Sequence, residues 1–201
     1  MSQPPIEFYF DFSSPYGYLA AEKIDALAAR YGREVCWHPY LLGVAHKVTG
    51  GHAPIGIAMK DGYYKNDFAR SARFHGLPFR LPSKFPIASL APTRAFYWVA
   101  DQDPALAKKL VLALYRAFFV QDVDITDAEK VIGIAEKLGV KADDLRKALA
   151  DAALKERVKA EVEKCIQQGA FGSPYFIVDG EPFWGMDRFD QLDKWLGTGG
   201  W

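Results

Sequence analysis

Short hydrophobic runs near the start of the chain alternate with turns in a way that is typical of buried β-strands. Residues 6–12 read IEFYFDF and residues 34–40 read EVCWHPY, which predicts two strands. Between them, apolar residues recur at steps of three and four over residues 18–28 and end before Gly32, as in an amphipathic helix. The start of the chain therefore predicts a βαβ unit with parallel strands and a right-handed crossover.

The middle of the chain has a different pattern. Residues 41–90 are rich in Gly and Pro and predict a single helix at residues 61–75. Residues 89–169 predict about five helices and no strand, with an N-cap at Asp103 and a capping box that starts at Thr126. This block is therefore expected to be all helical.

The end of the chain returns to the β pattern. Residues 175–178 form an apolar run, Asp179-Gly180 is a strong hairpin signal, residues 182–184 form the returning strand, and residues 187–196 predict a final helix. The predicted fold class is α/β: a βαβ…ββα sheet domain of residues 1–42 and 168–201. A large all-helical insertion domain, residues 43–167, interrupts it.

Composition and charge exclude several classes of protein. The chain has 201 residues, 50% of them hydrophobic, and its 25 basic side chains balance 25 acidic ones. Without net positive charge, we expect no binding to nucleic acid or to an anionic membrane surface. No window of about 18 residues is continuously apolar, and no basic signal-like segment opens the chain. We therefore expect a cytoplasmic protein whose partner is a small-molecule substrate.

Cysteines and histidines indicate neither a disulfide framework nor a metal site. Cys36 and Cys165 lie far apart and form no C-x-x-C pair. The four histidines show no spacing that is typical of metal ligands, so no metal is expected.

Two serine–proline pairs are candidates for chemistry. Ser14 precedes Pro15 where the first strand runs into the first helix, so it can be a plain N-cap, or its hydroxyl can join free N–H groups in holding an anion. Ser173 precedes Pro174 just before the third strand. A cis peptide there would turn the Ser173 backbone toward an extended ligand, whereas a trans proline would only open the strand.

The order of these elements resembles the thioredoxin superfamily, and the large helical insertion resembles its DsbA-like branch. The oxidoreductases of that branch carry C-P-x-C at the first helix, where this chain has SPYG from Ser14 to Gly17. Because thiol–disulfide exchange requires a thiolate, we expect no dithiol redox chemistry from this chain alone.

Over nearly its whole length, the chain is more closely similar to the 2-hydroxychromene-2-carboxylate isomerases and the kappa-class glutathione transferases. That resemblance implies a thioredoxin-like, DsbA-like fold, a glutathione cofactor and a homodimer. The motifs that carry it are FDFSSPYGYLA from Phe10, Lys60 with Tyr63 and Asp67, GLP from Gly76, FP at Phe85, DIT from Asp124, FGSP from Phe171, and FWGMDR from Phe183.

The resemblance also implies roles for individual residues. Ser14 would contact the glutathione sulfur, and Ser173 would pair with the cysteinyl backbone. The implied cofactor-binding residues are Ser14, Pro15, Tyr16, Ser173, Pro174, Met186 and Asp187, of which Met186 and Asp187 would hold the γ-glutamyl end. The candidate substrate residues are His46, Lys60 and Tyr63.

One motif departs from the family pattern. Family members often have an Asn-x-Pro-Pro run near the glutathione pocket, and here the run is Gly51-His52-Ala53-Pro54, so the chain departs from the family pattern at the asparagine contact.

The function that these features favour is a glutathione-dependent isomerase that acts on a conjugated, aromatic-derived carboxylate. A serine hydroxyl is a weak nucleophile without a neighbouring base, so Ser14 is expected to stabilise the glutathione thiolate. The alternatives are a kappa-like glutathione transferase and a non-catalytic thioredoxin-like binding module.

Overall fold

Both ends of the chain contribute to one four-stranded mixed sheet. The computed structural model describes residues 3–201; residues 1 and 2 of the predicted sheet domain lie outside this range. The strand order is β2-β1-β3-β4, with β1 parallel to β2 and antiparallel to β3, and with β3 and β4 forming a hairpin. The strands are β1 (Ile6–Phe10), β2 (Val35–Pro39), β3 (Tyr175–Val178) and β4 (Glu181–Trp184). The predicted βαβ and ββα units and their shared sheet are therefore confirmed.

Helices surround this sheet and fill the middle of the chain. The predicted block of about five helices corresponds to five observed ones, α5 to α9. The helices are α1 (Pro15–Ala21), α2 (Ile24–Arg30), α3 (Leu42–Thr49), α4 (Lys60–Phe74), α5 (Leu90–Ala100), α6 (Pro104–Phe119), α7 (Ala128–Glu136), α8 (Ala142–Ala150), α9 (Ala152–Gln167) and, after a 3₁₀ turn at Met186–Arg188, α10 (Phe189–Thr198). None of them has the length and the apolar character that a membrane crossing requires within residues 3–201.

Aromatic side chains join the sheet to the helices. Phe8 stacks on Phe176 across β1 and β3 with ring centroids 5.2 Å apart, and the Phe10 ring lies 5.9 Å from Tyr115 of α6. Tyr115 in turn stacks on Phe119, one turn further along the same helix. Large buried rings dominate hydrophobic burial, so this cluster packs β1 and β3 firmly against α6.

Some local predictions were wrong. The stretch predicted to hold one helix also contains α3, and the helical pattern after β1 is split into α1 and α2. The N-cap of α7 is Asp127, which accepts from the Glu129 N–H, and not Thr126. The Thr126 hydroxyl instead donates to Asp124 and accepts from the Lys84 ammonium at 2.8 Å, so it is directed away from the start of the helix.

Candidate active site

Ser14 caps the first helix. Its side-chain oxygen accepts from the Gly17 N–H at 3.0 Å, and Pro15 occupies the first helical position, where a missing N–H costs nothing. The Ser14 N–H is satisfied by the Asp11 carbonyl at 2.9 Å. Within residues 3–201 we find no acceptor for the Tyr16 N–H, so the first turn presents one free backbone donor beside the Ser14 hydroxyl.

The fold brings Ser173 directly opposite Ser14. The Ser14 hydroxyl donates to the Ser173 carbonyl at 2.8 Å, and the Ser173 hydroxyl accepts from the Asp11 N–H at 2.9 Å. The Ser173–Pro174 peptide is cis. The Ser173 N–H has no acceptor among the described residues, although Ser173 is only 8% exposed. A buried N–H without a partner is uncommon, so the site offers a second free donor.

The remaining predicted cofactor residues divide into exposed and buried groups. The Pro174 carbonyl accepts from the Gly185 N–H at 3.0 Å. This bond holds Met186 and Asp187, which follow Gly185, beside the Ser173–Pro174 segment. Asp187 is exposed at this point, whereas Pro174 and the Met186 side chain are buried. Met186 and Asp187 line the cleft, whereas Pro174 is not among its lining residues.

The hydroxyl of Tyr16 is already engaged. It donates to the carboxylate of Asp67 on α4, which also pairs with Arg70. Burial and the neighbouring Asp67 raise the pKa of Tyr16 far above its ordinary value, so the phenol stays neutral. Tyr16 is therefore available to a ligand chiefly through its backbone and its ring.

One continuous cleft of about 1450 Å³ contains most of the predicted site residues. Ser14 and Ser173 line this cleft, and so do the three predicted substrate residues, His46, Lys60 and Tyr63. Lys60 and Tyr63 are exposed, and His46 is half-buried. Desolvation lowers the pKa of His46, and the nearby charge of Asp11 opposes that effect. The other apolar and aromatic lining residues include Phe85, Ile87, Phe171, Trp184 and Trp195.

Trp184 covers the backbone next to Ser173. A Cβ atom on Gly172 would lie 2.0 Å from the Trp184 Nε1, so only glycine lets the indole take this position. The Gly172 carbonyl also accepts from Tyr40 at 2.8 Å. The glycine therefore shapes the aromatic wall beside the two serines.

Sequence reasoning missed the importance of Asp11. Its carboxylate accepts from the N–H of Ser13 at 2.7 Å and from the N–H of Leu42 at 2.6 Å, and thereby joins two walls of the cleft. The available signal was an acidic residue among apolar ones, three residues before Ser14.

Comparisons with known proteins agree with this geometry. The sequence profile of the DSBA-like thioredoxin domain matches residues 5–197. The chain belongs to this family. Within the DSBA-like family, it is 31% identical over 193 residues to 2-hydroxychromene-2-carboxylate isomerase of Sphingobium xenophagum. The aligned region covers 95% of this chain and 97% of that protein.

Two further relatives place the chain in the same branch of the DSBA-like family. Glutathione S-transferase kappa 1 of Homo sapiens is 27% identical over 215 residues, covering 96% of this chain and 92% of that protein. A solved 2-hydroxychromene-2-carboxylate isomerase superposes with a TM-score of 0.86 at 27% identity, covering 96% of this chain and 94% of that one. The predicted resemblance is therefore confirmed, and the chain belongs with isomerases and glutathione transferases.

Proposed function

We propose that this protein is a glutathione-dependent isomerase of the 2-hydroxychromene-2-carboxylate isomerase type. The observation that carries the proposal is the meeting of Ser14 and Ser173 at 2.8 Å in a cleft, with two free N–H groups beside them. Unpaired N–H donors, one of them on the buried Ser173, fit a ligand that is itself peptide-like and carries an anionic sulfur. The relatives that carry these names span nearly the whole chain, which supports the same assignment.

Ser14 is proposed to hold the cofactor sulfur as a thiolate. Its hydroxyl has one proton, which donates to the Ser173 carbonyl and would turn to the more strongly accepting thiolate. Lowering a thiol pKa from ~8.5 by about two units requires ~2.7 kcal/mol of selective thiolate stabilisation. A charge-assisted hydrogen bond contributes ~1.5–3 kcal/mol and the helix N-terminus ~0.3–1 kcal/mol, so the two together are sufficient in size. When bound, glutathione supplies a nucleophilic sulfur that adds reversibly to a conjugated carbon.

The rest of the cleft is proposed to bind a planar carboxylate substrate. Lys60 is exposed on the lining, where its ammonium group can neutralise a carboxylate, and Tyr63 adds an aromatic face. His46, whose pKa is lowered by desolvation, is neutral at pH 7 and can accept or donate a proton there. The protein is proposed to act in the cytoplasm and, as the family resemblance implies, as a homodimer.

A kappa-like transferase is the second candidate. Two relatives named as kappa-class glutathione transferases favour it: the chain is 26% identical to one from Caenorhabditis elegans and 27% identical to one from Homo sapiens. Product analysis separates the two, because an isomerase returns glutathione unchanged and a transferase consumes it.

Replacing Ser14 by Ala tests the proposed donor. We expect the ultraviolet thiolate absorbance of the glutathione complex at pH 7 to fall, because the pKa of the bound thiol returns toward ~8.5 without the donor. Turnover should fall with it by about tenfold or more. Thiolate absorbance during a pH titration, together with steady-state kinetics, measures both.

Asp103→Ala is the matched control. Asp103 caps α6 and accepts from the Leu106 N–H, so its loss removes an N-cap without touching the cleft. We expect it to lower stability by ~1 kcal/mol and to leave the thiol pKa unchanged. Unchanged thiolate absorbance in Ser14→Ala would contradict the donor role. Absence of glutathione binding to the unmodified protein in calorimetry would instead favour the non-catalytic module.

A further inference from the structure

Asp11 is a buried acid at the centre of the site. It follows β1 directly, is 4% exposed, and each of its backbone polar atoms has a partner. Its N–H donates to the Ser173 hydroxyl at 2.9 Å, and its carbonyl accepts from the Ser14 N–H and the Tyr115 hydroxyl, each at 2.9 Å. The backbone of Asp11 thus holds both candidate serines in place.

The side chain of Asp11 joins three further segments. Oδ1 accepts from the Ser13 N–H and from the Ser89 hydroxyl, each at 2.7 Å, and Oδ2 accepts from the Leu42 N–H at 2.6 Å. Ser13 lies before α1, Ser89 lies before α5, and Leu42 is the first residue of α3. Backbone N–H groups can only donate, so both carboxylate oxygens must accept, as an ionised carboxylate does.

This arrangement sets the distance between two walls of the cleft. Ser13 leads into the wall that carries Ser14, whereas Leu42 begins the helix that carries His46 one turn later. We propose that Asp11 is the positioning residue of this site: its ionised carboxylate holds the Ser14 wall and the His46 wall in register. The inference deepens the proposed function and rests on it.

The surroundings of Asp11 make its charge sensitive to pH. Within residues 3–201 no lysine or arginine lies within 4.0 Å of the carboxylate, and the titratable groups that face it are His46, Tyr40 and Tyr115. Burial raises the pKa of Asp11, and its three donors and His46 partly oppose this effect. Acidification should therefore protonate Asp11 and loosen both walls while the carboxylates on the surface are still ionised.

Asp11→Asn tests the proposal. The amide has one accepting oxygen, so either Ser13 or Leu42 loses its acceptor, while the backbone bond from residue 11 to Ser173 remains. We expect kcat to fall about tenfold or more, because the walls are misplaced. The Kd of glutathione should change by less than about threefold, and the acid limb of the kcat profile should become less steep, because only protonation of the bound thiolate then remains. A folded variant with near-normal kcat and the same acid limb would overturn the proposal.

A second measurement does not depend on glutathione or on the fold of that variant. In the ligand-free protein, the amide resonances of Ser13 and Leu42 should titrate together, with one midpoint above the ordinary Asp pKa of ~3.9. Ser89→Ala removes one donor from the carboxylate and should shift that midpoint to higher pH. Resonances that do not move, or that move with separate midpoints, would overturn the role of Asp11. If they titrate as expected but glutathione does not bind, the positioning network stands and the proposed function fails.

Discussion

Three hydroxyl-bearing side chains surround one glycine at the start of α1. A Cβ atom on Gly17 would lie 2.8 Å from the Ser173 hydroxyl oxygen, 2.8 Å from the Tyr115 hydroxyl oxygen and 3.1 Å from the Ser14 Cβ. Both hydroxyl oxygens are held by hydrogen bonds to the backbone of Asp11, so they have little freedom to retreat. The absence of a side chain at this position is therefore what allows the two serines to meet.

Gly17→Ala should destabilise the protein by ~1–3 kcal/mol, although alanine is a better helix former than glycine. The added methyl group cannot fit against Ser173 and Tyr115 without moving α1, which is the cost of overpacking. Chemical denaturation followed by circular dichroism measures the change.

Gly133→Ala in α7 provides the comparison. A Cβ atom there meets nothing within 4 Å, so we expect a gain of ~0.5–1 kcal/mol from helix propensity alone. If both variants were equally stabilised, the close approach at Gly17 would not limit the packing of α1.

At the scale of elements, the β3–β4 hairpin is tied to the opposite side of the sheet. Asp179 and Gly180 both have positive φ angles, as the predicted two-residue turn requires. The Asp179 carboxylate accepts two hydrogen bonds from Arg33, at 2.8 and 3.1 Å, and the Arg33 side chain is only 4% exposed. Arg33 also donates to the Pro4 carbonyl, so one guanidinium group joins the segments that precede β1 and β2 to the hairpin.

Asp179→Asn should lower stability by ~1.5–3 kcal/mol, since it removes the charged acceptor of a buried guanidinium group and keeps a residue that tolerates the turn. Urea unfolding measures this loss. Lys164→Gln is the surface comparison, because its pair with Glu161 is 3.8 Å long and the lysine is mostly exposed. We expect less than ~0.5 kcal/mol there, and equal losses would contradict a special role for the buried pair.

Helix α3 shows where prediction from local pattern stops. Its N-cap position is Leu41, which has no side-chain cap, so the usual start signal is absent from the sequence. The Leu42 N–H is satisfied by Asp11, 31 residues earlier. By contrast, the caps at Ser14 and Asp103 and the turn at Asp179 use neighbours within three residues, and all were predicted.

The same distinction applies to the candidate site. The serine–proline pairs could be recognised from sequence because their motifs are local and resemble a family that the profile comparison confirms. Asp11 could not be given a role in this way. Its partners Leu42, Ser89 and Ser173 are 31, 78 and 162 residues away, and only the folded chain brings them together.

At the scale of the whole molecule, buried tyrosines connect the sheet, the helices and the site. Tyr40 donates to the Gly172 carbonyl at 2.8 Å, Tyr97 to the Pro39 carbonyl at 2.9 Å, and Tyr115 to the Asp11 carbonyl at 2.9 Å. Each phenol must remain protonated to donate. Burial raises the pKa of all three above the ordinary tyrosine value.

These tyrosines predict loss of stability in alkali. A folded-state pKa above the unfolded value of ~10 stabilises the fold fully below pH ~10 and loses that contribution as the pH rises further. Near-ultraviolet circular dichroism should therefore disappear together with the rise in tyrosinate absorbance from the buried rings. Tyr115→Phe removes one such group, so the stability of this variant should depend less steeply on pH above ~10. Ionisation of Tyr40, Tyr97 and Tyr115 near pH ~10 with the dichroism intact would show that these phenols do not hold the sheet and the helices together.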